Sequence, residues 1–148
     1  MKIGLALLVA FVVQAPASWA VLGQPVASVR SDQQLMRGQI RSTAGQGYSI
    51  QQITAPDRGV VKEYVAPTGI VFAVSWQTRT MPKLARLLGS YFTQFQQASQ
   101  SGTRRRRRGI ILRTDQLVVE SGGHMRAFHG RAYVPALLPP NVPLTAIN

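Results

Sequence analysis

The sequence contains no cysteine, so it can have no disulfide framework, thiolate nucleophile, Cys-ligated zinc or cysteine-linked lipid. Acidic residues are also scarce: five Asp and Glu stand against 17 Lys and Arg, for a formal charge of +12. The five, Asp32, Asp57, Glu63, Asp115 and Glu120, are scattered along the chain, so no pair is marked out to flank a glycosidic bond. Histidine is confined to His124 and His129. Five residues apart on one strand, their rings point to opposite faces, which argues against a shared metal. Gly45-Gln46-Gly47 lacks both the third glycine and the preceding strand of a phosphate-cradling loop. These absences point to no catalytic residue, no metal site and no cofactor.

What is present suffices for one globular domain: 148 residues, 45% of them apolar. Residues 1–20 read as a signal peptide, with Lys2, an apolar run from Ile3 to Val13 and small residues at Ser18 and Ala20. That run is about half the ~20 residues a membrane-spanning helix needs. The expected destination is therefore outside the cytoplasm, periplasmic or secreted. No internal repeat is visible.

The mature chain divides into an N-terminal extended segment over 21–47 with a short helix and a linker, an α+β domain over 48–134, and a Pro-rich tail over 135–148. In the first part Ser31-Asp32 is placed to cap a helix carrying Leu35, Met36 and Ile40, and Ser42–Gly47 reads as the linker. Tyr48–Thr54, Val60–Ala66 and Ile70–Gln77, separated by turn chemistry at Pro56–Gly59 and Pro67–Gly69, predict a three-stranded antiparallel meander. Alternation in its last strand assigns Ile70, Phe72, Val74 and Trp76 to the core face. The period then changes. Leu84, Leu87, Leu88, Tyr91, Phe92 and Phe95 form one stripe of an amphipathic helix from Pro82 to about Ser99, with Thr80 as its cap.

After the five arginines Arg104–Arg108, strand composition returns at Gly109–Val119, and Ser121-Gly122-Gly123 is expected to turn the chain into a hairpin with His124–Val134. That turn would set Glu120 opposite Met125, Leu117 opposite Phe128 and Gln116 opposite His129. One face would then hold Leu117, Val119 and Phe128, and the other Gln116, Glu120, His129 and Arg131. In the tail, Leu137, Leu138 and Leu144 are available to dock along the domain. The expected fold is a single α+β domain in which an antiparallel sheet of about five strands, made of meander and hairpin, packs on one amphipathic helix.

The ordered series Val61–Trp76, Leu87–Phe92 and Leu117–Pro135, the last with Ser121-Gly122-Gly123-His124 and Phe128-His129-Gly130-Arg131, resembles the bacterial family catalogued as domain of unknown function 2844. The resemblance implies a small exported protein and carries over no activity, cofactor or site residue. The five-arginine run is not part of that pattern.

Function has then to be read from charge. Arg104, Arg105, Arg106, Arg107 and Arg108, with Arg126, His129 and Arg131, are the candidate binding residues, since guanidinium groups hold phosphates and carboxylates by charge-assisted, often bidentate hydrogen bonds. For an exported protein the accessible anions are lipid head groups, lipopolysaccharide or an acidic envelope protein. The lack of aromatic residues among the arginines argues against nucleic acid. The expectation is a non-enzymatic envelope or secreted binding module for a protein or an anionic surface. Two alternatives stand beside it: a hydrolase built on Ser121, His124 and Glu120, although no nucleophile elbow surrounds Ser121, and an assembly subunit that pairs through a β-edge.

Overall fold

The computed structural model describes residues 22–101, 104–106 and 109–148. The signal peptide read at 1–20 lies outside the described residues, as do Arg107 and Arg108. Strands β1 (Gln39–Ala44), β2 (Ser49–Thr54), β3 (Val60–Val65), β4 (Val71–Thr78), β5 (Arg104–Arg106), β6 (Gly109–Arg113), β7 (Val118–His124) and β8 (Ala127–Tyr133) form one antiparallel sheet. Their order is β1-β2-β3-β4-β8-β7-β6-β5. Helices α1 (Val29–Met36), α2 (Leu84–Leu88) and α3 (Phe92–Ser101) complete an α+β architecture.

The meander is present as β2, β3 and β4, and the sheet exceeds the expected five strands at both edges. Strand β1 takes Ser42–Ala44 from the segment read as a linker and Ile40 from the residues read as helix, and pairs with β2 from Gln39↔Thr54 to Ala44↔Ser49; Leu35, expected to face the core from that helix, is exposed. The polar side chains of β1 conceal it in sequence because an exposed edge strand has no apolar face to show. At the other edge the arginine run supplies the three-residue β5, paired with β6 through Arg104↔Ile111.

The hairpin register also differs. Glu120 pairs with Arg131, Val118 with Tyr133 and His124 with Ala127, so the turn falls at Met125-Arg126 and Ser121-Gly122-Gly123 lies within β7. Gly123 has φ 121°, and a Cβ there would collide with the Ala127 carbonyl. The glycine therefore serves close strand approach rather than a turn. Phe128 pairs with Gly123, and Leu117 lies before β7.

The predicted helix is broken. Gly89, at φ 51°, ends α2, a 3₁₀ turn spans Gly89–Tyr91, and α3 starts at Phe92. The apolar stripe still does its work, because Leu87, Leu88 and Phe95 pack with Val61, Val74, Trp76, Val119 and Ala132 in the main core. Helix α1 begins at Val29, earlier than read, and Ser28 rather than Ser31 precedes it. The Ser28 hydroxyl donates to the Pro25 carbonyl oxygen at 2.6 Å.

A second core lies on the opposite face. Between Tyr64↔Ala73 and Val65↔Val71 the β3–β4 register slips by one residue. This bulge turns Phe72 away from Val74 and Trp76, correcting the face assigned by simple alternation. Phe72 instead joins Tyr64, Ala73, Val118, Tyr133 and Ile147, with Leu137, Leu138 and Val142 packed against them. The tail thus covers this face, in 3₁₀ turns at Pro135–Leu137 and Leu144–Ala146 rather than a uniformly extended path. Leu144 itself is exposed.

Candidate functional site

With helices over one face and the tail over the central strands of the other, the ends of the sheet are its open regions. One end gathers the β2–β3 turn, the exit of β4, the β7–β8 turn and the passage from β5 to β6. The start of β1 lies there too, immediately after Arg37. Each of these junctions carries arginine: Arg37, Arg58, Arg79, Arg126, and Arg106 at the end of β5. With neighbouring strands about 4.8 Å apart, these junctions follow one another along the sheet end.

Three of these arginines occupy left-handed backbone: Arg37 at φ 48°, Arg58 at φ 67° and Arg126 at φ 68°. Glycine or asparagine adopts that region at lower cost, roughly 1–2 kcal/mol for other residues. Backbone geometry therefore does not explain why arginine stands there. Arg58, Arg79, Arg126 and His129 line an open cleft of about 360 Å³ together with Asp57, Gln77 and Thr78. The Asp57 carboxylate accepts the Gly59 amide at 2.9 Å, which closes the turn. None of the four basic side chains has a hydrogen bond or ion pair with another described residue. At the tip of the β7–β8 turn Met125 is 84% exposed, and Met81, after the β4 exit, is 48% exposed.

Of the candidate binding residues read from sequence, the structure brings Arg126 and His129 together here. Arg104–Arg106 form the edge strand whose Arg106 end approaches this end of the sheet. Arg131 belongs elsewhere. Its guanidinium donates to Glu120 Oε2 at 2.9 Å and to the carbonyl oxygens of Leu144 and Ile147 at 2.8 and 3.2 Å, so it fastens the tail to the sheet. Glu120 also accepts from Arg113 at 2.6 Å. These bonds, Arg113 first, hold its carboxyl below the usual range. Sequence reading missed Arg37, Arg58 and Arg79; for Arg37 and Arg58 the signal is arginine at turn and cap positions that ordinarily suit Gly or Asn, whereas Arg79 is marked only by its place just after β4.

The hydrolase trio is not assembled. Ser121 is buried, and its Oγ has no hydrogen-bond partner. The neighbouring Glu120 points to the opposite face, as consecutive strand residues must. His124 is exposed at the end of β7, its Nδ1 3.2 Å from the Met125 carbonyl oxygen. Among the described residues no group of three or more His, Asp and Glu is placed to hold a metal, and no helix is long and apolar enough to cross a membrane.

A second polar locus is enclosed between helices and sheet. Asp32 on α1 and Glu63 on β3 are 2% and 1% exposed. Asp32 Oδ1 and both Glu63 carboxyl oxygens lack hydrogen-bond partners. Burial pushes Glu63 up to about 8, and the Asp32 charge adds to the rise. Burial likewise raises Asp32 to about 6, against the pull of Arg86.

Fold and site together define a small α+β protein whose single antiparallel sheet ends in an arginine-lined rim. The chain belongs to the family described as "Protein of unknown function (DUF2844)", whose model matches residues 18–147. No curated protein and no solved structure matches it.

Proposed function

We propose that this is an exported, non-enzymatic binding module that docks on an anionic surface through the arginine-bearing end of its sheet. The observation that carries the reading is the convergence of Arg58, Arg79 and Arg126, on three different strand junctions, into one open cleft beside the exposed Met125. Cations flanking a protruding apolar side chain suit a lipid surface, where arginine meets phosphate and methionine enters the boundary between head group and acyl chain. Export rests on the signal-peptide reading of residues 1–20 and is tested by the N-terminal mass of protein recovered from a bacterial envelope.

The docking reading is tested by co-sedimentation with vesicles of phosphatidylcholine alone or mixed with phosphatidylglycerol. The expected result is binding to the anionic vesicles, weakened by salt. Each arginine near such a surface contributes about 1 kcal/mol. Arg58→Gln, Arg79→Gln and Arg126→Gln combined should then lower affinity about a hundredfold. Equal binding by the triple variant, or no preference for anionic vesicles, contradicts the reading.

The polar edge strand β1 supports a second reading, assembly by edge-to-edge pairing, because its outer main-chain groups have no strand beside them among the described residues. A monomeric mass at high protein concentration would exclude it.

A further inference from the structure

We infer that the arginine cleft and the apolar cavity beside it form one binding site for a single-chain alkyl phosphate, its phosphate held in the cleft and its chain laid in the cavity. Resting on the proposal that the cleft meets anions, the site adds a requirement for an apolar chain. The cavity lies between α1, α2 and the β2–β3 turn and holds about 430 Å³, within the range of ordinary ligand pockets. Met36, Val61, Met81 and Leu87 supply apolar walls, and the unbranched thioether chains of methionine can repack around a flexible guest. Asp57 and Thr78 border both hollows. Around them the chain alternates between the two sides: Arg58 and Arg79 line the cleft, whereas Gly59 and Thr80, the next residues, line the cavity. The Thr78 hydroxyl donates to the Thr80 carbonyl oxygen at 2.7 Å and fixes the passage between them.

The charges decide which amphiphile fits. Lys83 and Arg86 stand on the cavity lining, and Arg58, Arg79, Arg126 and His129 on that of the cleft. The Lys83 ammonium has no hydrogen bond or ion pair with another described residue. Two carboxyl groups oppose these cations: Asp57 is engaged by the Gly59 amide at 2.9 Å, and Asp32 Oδ1 is closed off from the cavity. Positive charge is therefore in excess around the two hollows, and an anionic head on an apolar chain is the complement. A phosphate monoester suits the cleft better than a carboxylate, because it offers three acceptor oxygens and up to two charges to guanidinium groups arriving from three different strand junctions. An alkyl ammonium meets repulsion throughout.

The test is a titration of the protein at pH 7.5, followed by amide ¹H–¹⁵N spectra. The probes are inorganic phosphate, then butyl, hexyl and octyl phosphate, each below its micelle concentration, and octyltrimethylammonium. Octyl phosphate is expected to give saturable shifts at both Arg126 and Leu87. Affinity should rise about fourfold per methylene, the gain of burying a hydrocarbon chain, up to the length that fills the cavity. Inorganic phosphate should shift Arg58 and Arg126 without Leu87, and octyltrimethylammonium should shift none of them. Met81→Ser changes an exposed side chain, so the fold is not at stake, and it should lower octyl phosphate affinity about threefold relative to inorganic phosphate. Arg58→Gln combined with Arg126→Gln should weaken both. Equal affinity for octyl and inorganic phosphate, which would make a free phosphate ion the ligand, would overturn the inference. So would octyl phosphate shifts confined to the cleft, or equal binding of the alkyl ammonium. If that happens while the protein still sediments with anionic vesicles, surface docking stands without a seat for the chain; loss of phosphate and vesicle binding together removes the anion site as well.

Discussion

At position 63 a glutamate occupies the helix-covered side of β3, between Val61 and Val65 of the main core. Because burial raises Glu63 from 4.5 to about 8 and Asp32 from 3.8 to about 6, both are better proton binders in the folded chain than in the unfolded one. Their contribution to stability is complete below about pH 4 and is lost as pH rises through the folded values, at about 1.4 kcal/mol per proton and pH unit. Unfolding by denaturant should show stability falling between pH 5 and pH 8 by an amount on the order of 4 kcal/mol from these groups, and Glu63→Gln should flatten most of that slope. A stability that rises over this interval in the native protein and is unchanged in shape by Glu63→Gln would remove the buried acid from the account. Gly130 makes a steric prediction at the same scale. A Cβ there would strike the Trp76 indole and the Glu120 carbonyl, so Gly130→Ala should cost about 1–3 kcal/mol by overpacking, readable as a lowered denaturation midpoint.

At the scale of elements, the tail and the sheet hold each other. Tyr64 Oη and Ser75 Oγ donate to the Asn148 main-chain oxygen, each at 2.9 Å, and Arg131 grips the Leu144 and Ile147 carbonyls. Arg131→Ala should therefore loosen the tail selectively. Its Ile147 amide should exchange faster with solvent while amides of α2 keep their protection, at a global cost of about 1–3 kcal/mol. The elements that could be read in sequence were those whose burial follows a regular period: β2 to β4 from alternation and turn residues, and the apolar stripe now divided between α2 and α3. What escaped obeys other physics. Gly89 breaks a helix that the stripe alone would continue, the Phe72 bulge reverses one side chain, and Gly123 answers to strand proximity rather than to a turn. Arg126 and His129 were legible as site residues from charge. Arg58 and Arg79 were not, because only the folded sheet brings their junctions beside Arg126, and the Glu120 register shift reassigns Arg131 to the tail.

At the scale of the whole molecule, charge and topology act together. Alternating strand direction returns the chain repeatedly to the same end of the sheet, and arginine stands at each return while Glu63, Asp115 and Glu120 lie elsewhere, leaving the turn-bound Asp57 and the buried Asp32 near it. The net charge of +12 for the whole chain thereby acquires a direction as well as a magnitude. The most direct measurement of that claim is paramagnetic broadening of amide resonances by spin-labelled lipid in anionic vesicles, which reports which side of the protein meets the surface. The account predicts the strongest broadening at Arg58, Arg79, Met125 and Arg126, fading toward the opposite sheet end at Gly69 and Asp115. Broadening centred on that opposite end or on the tail, or none at all, would contradict it.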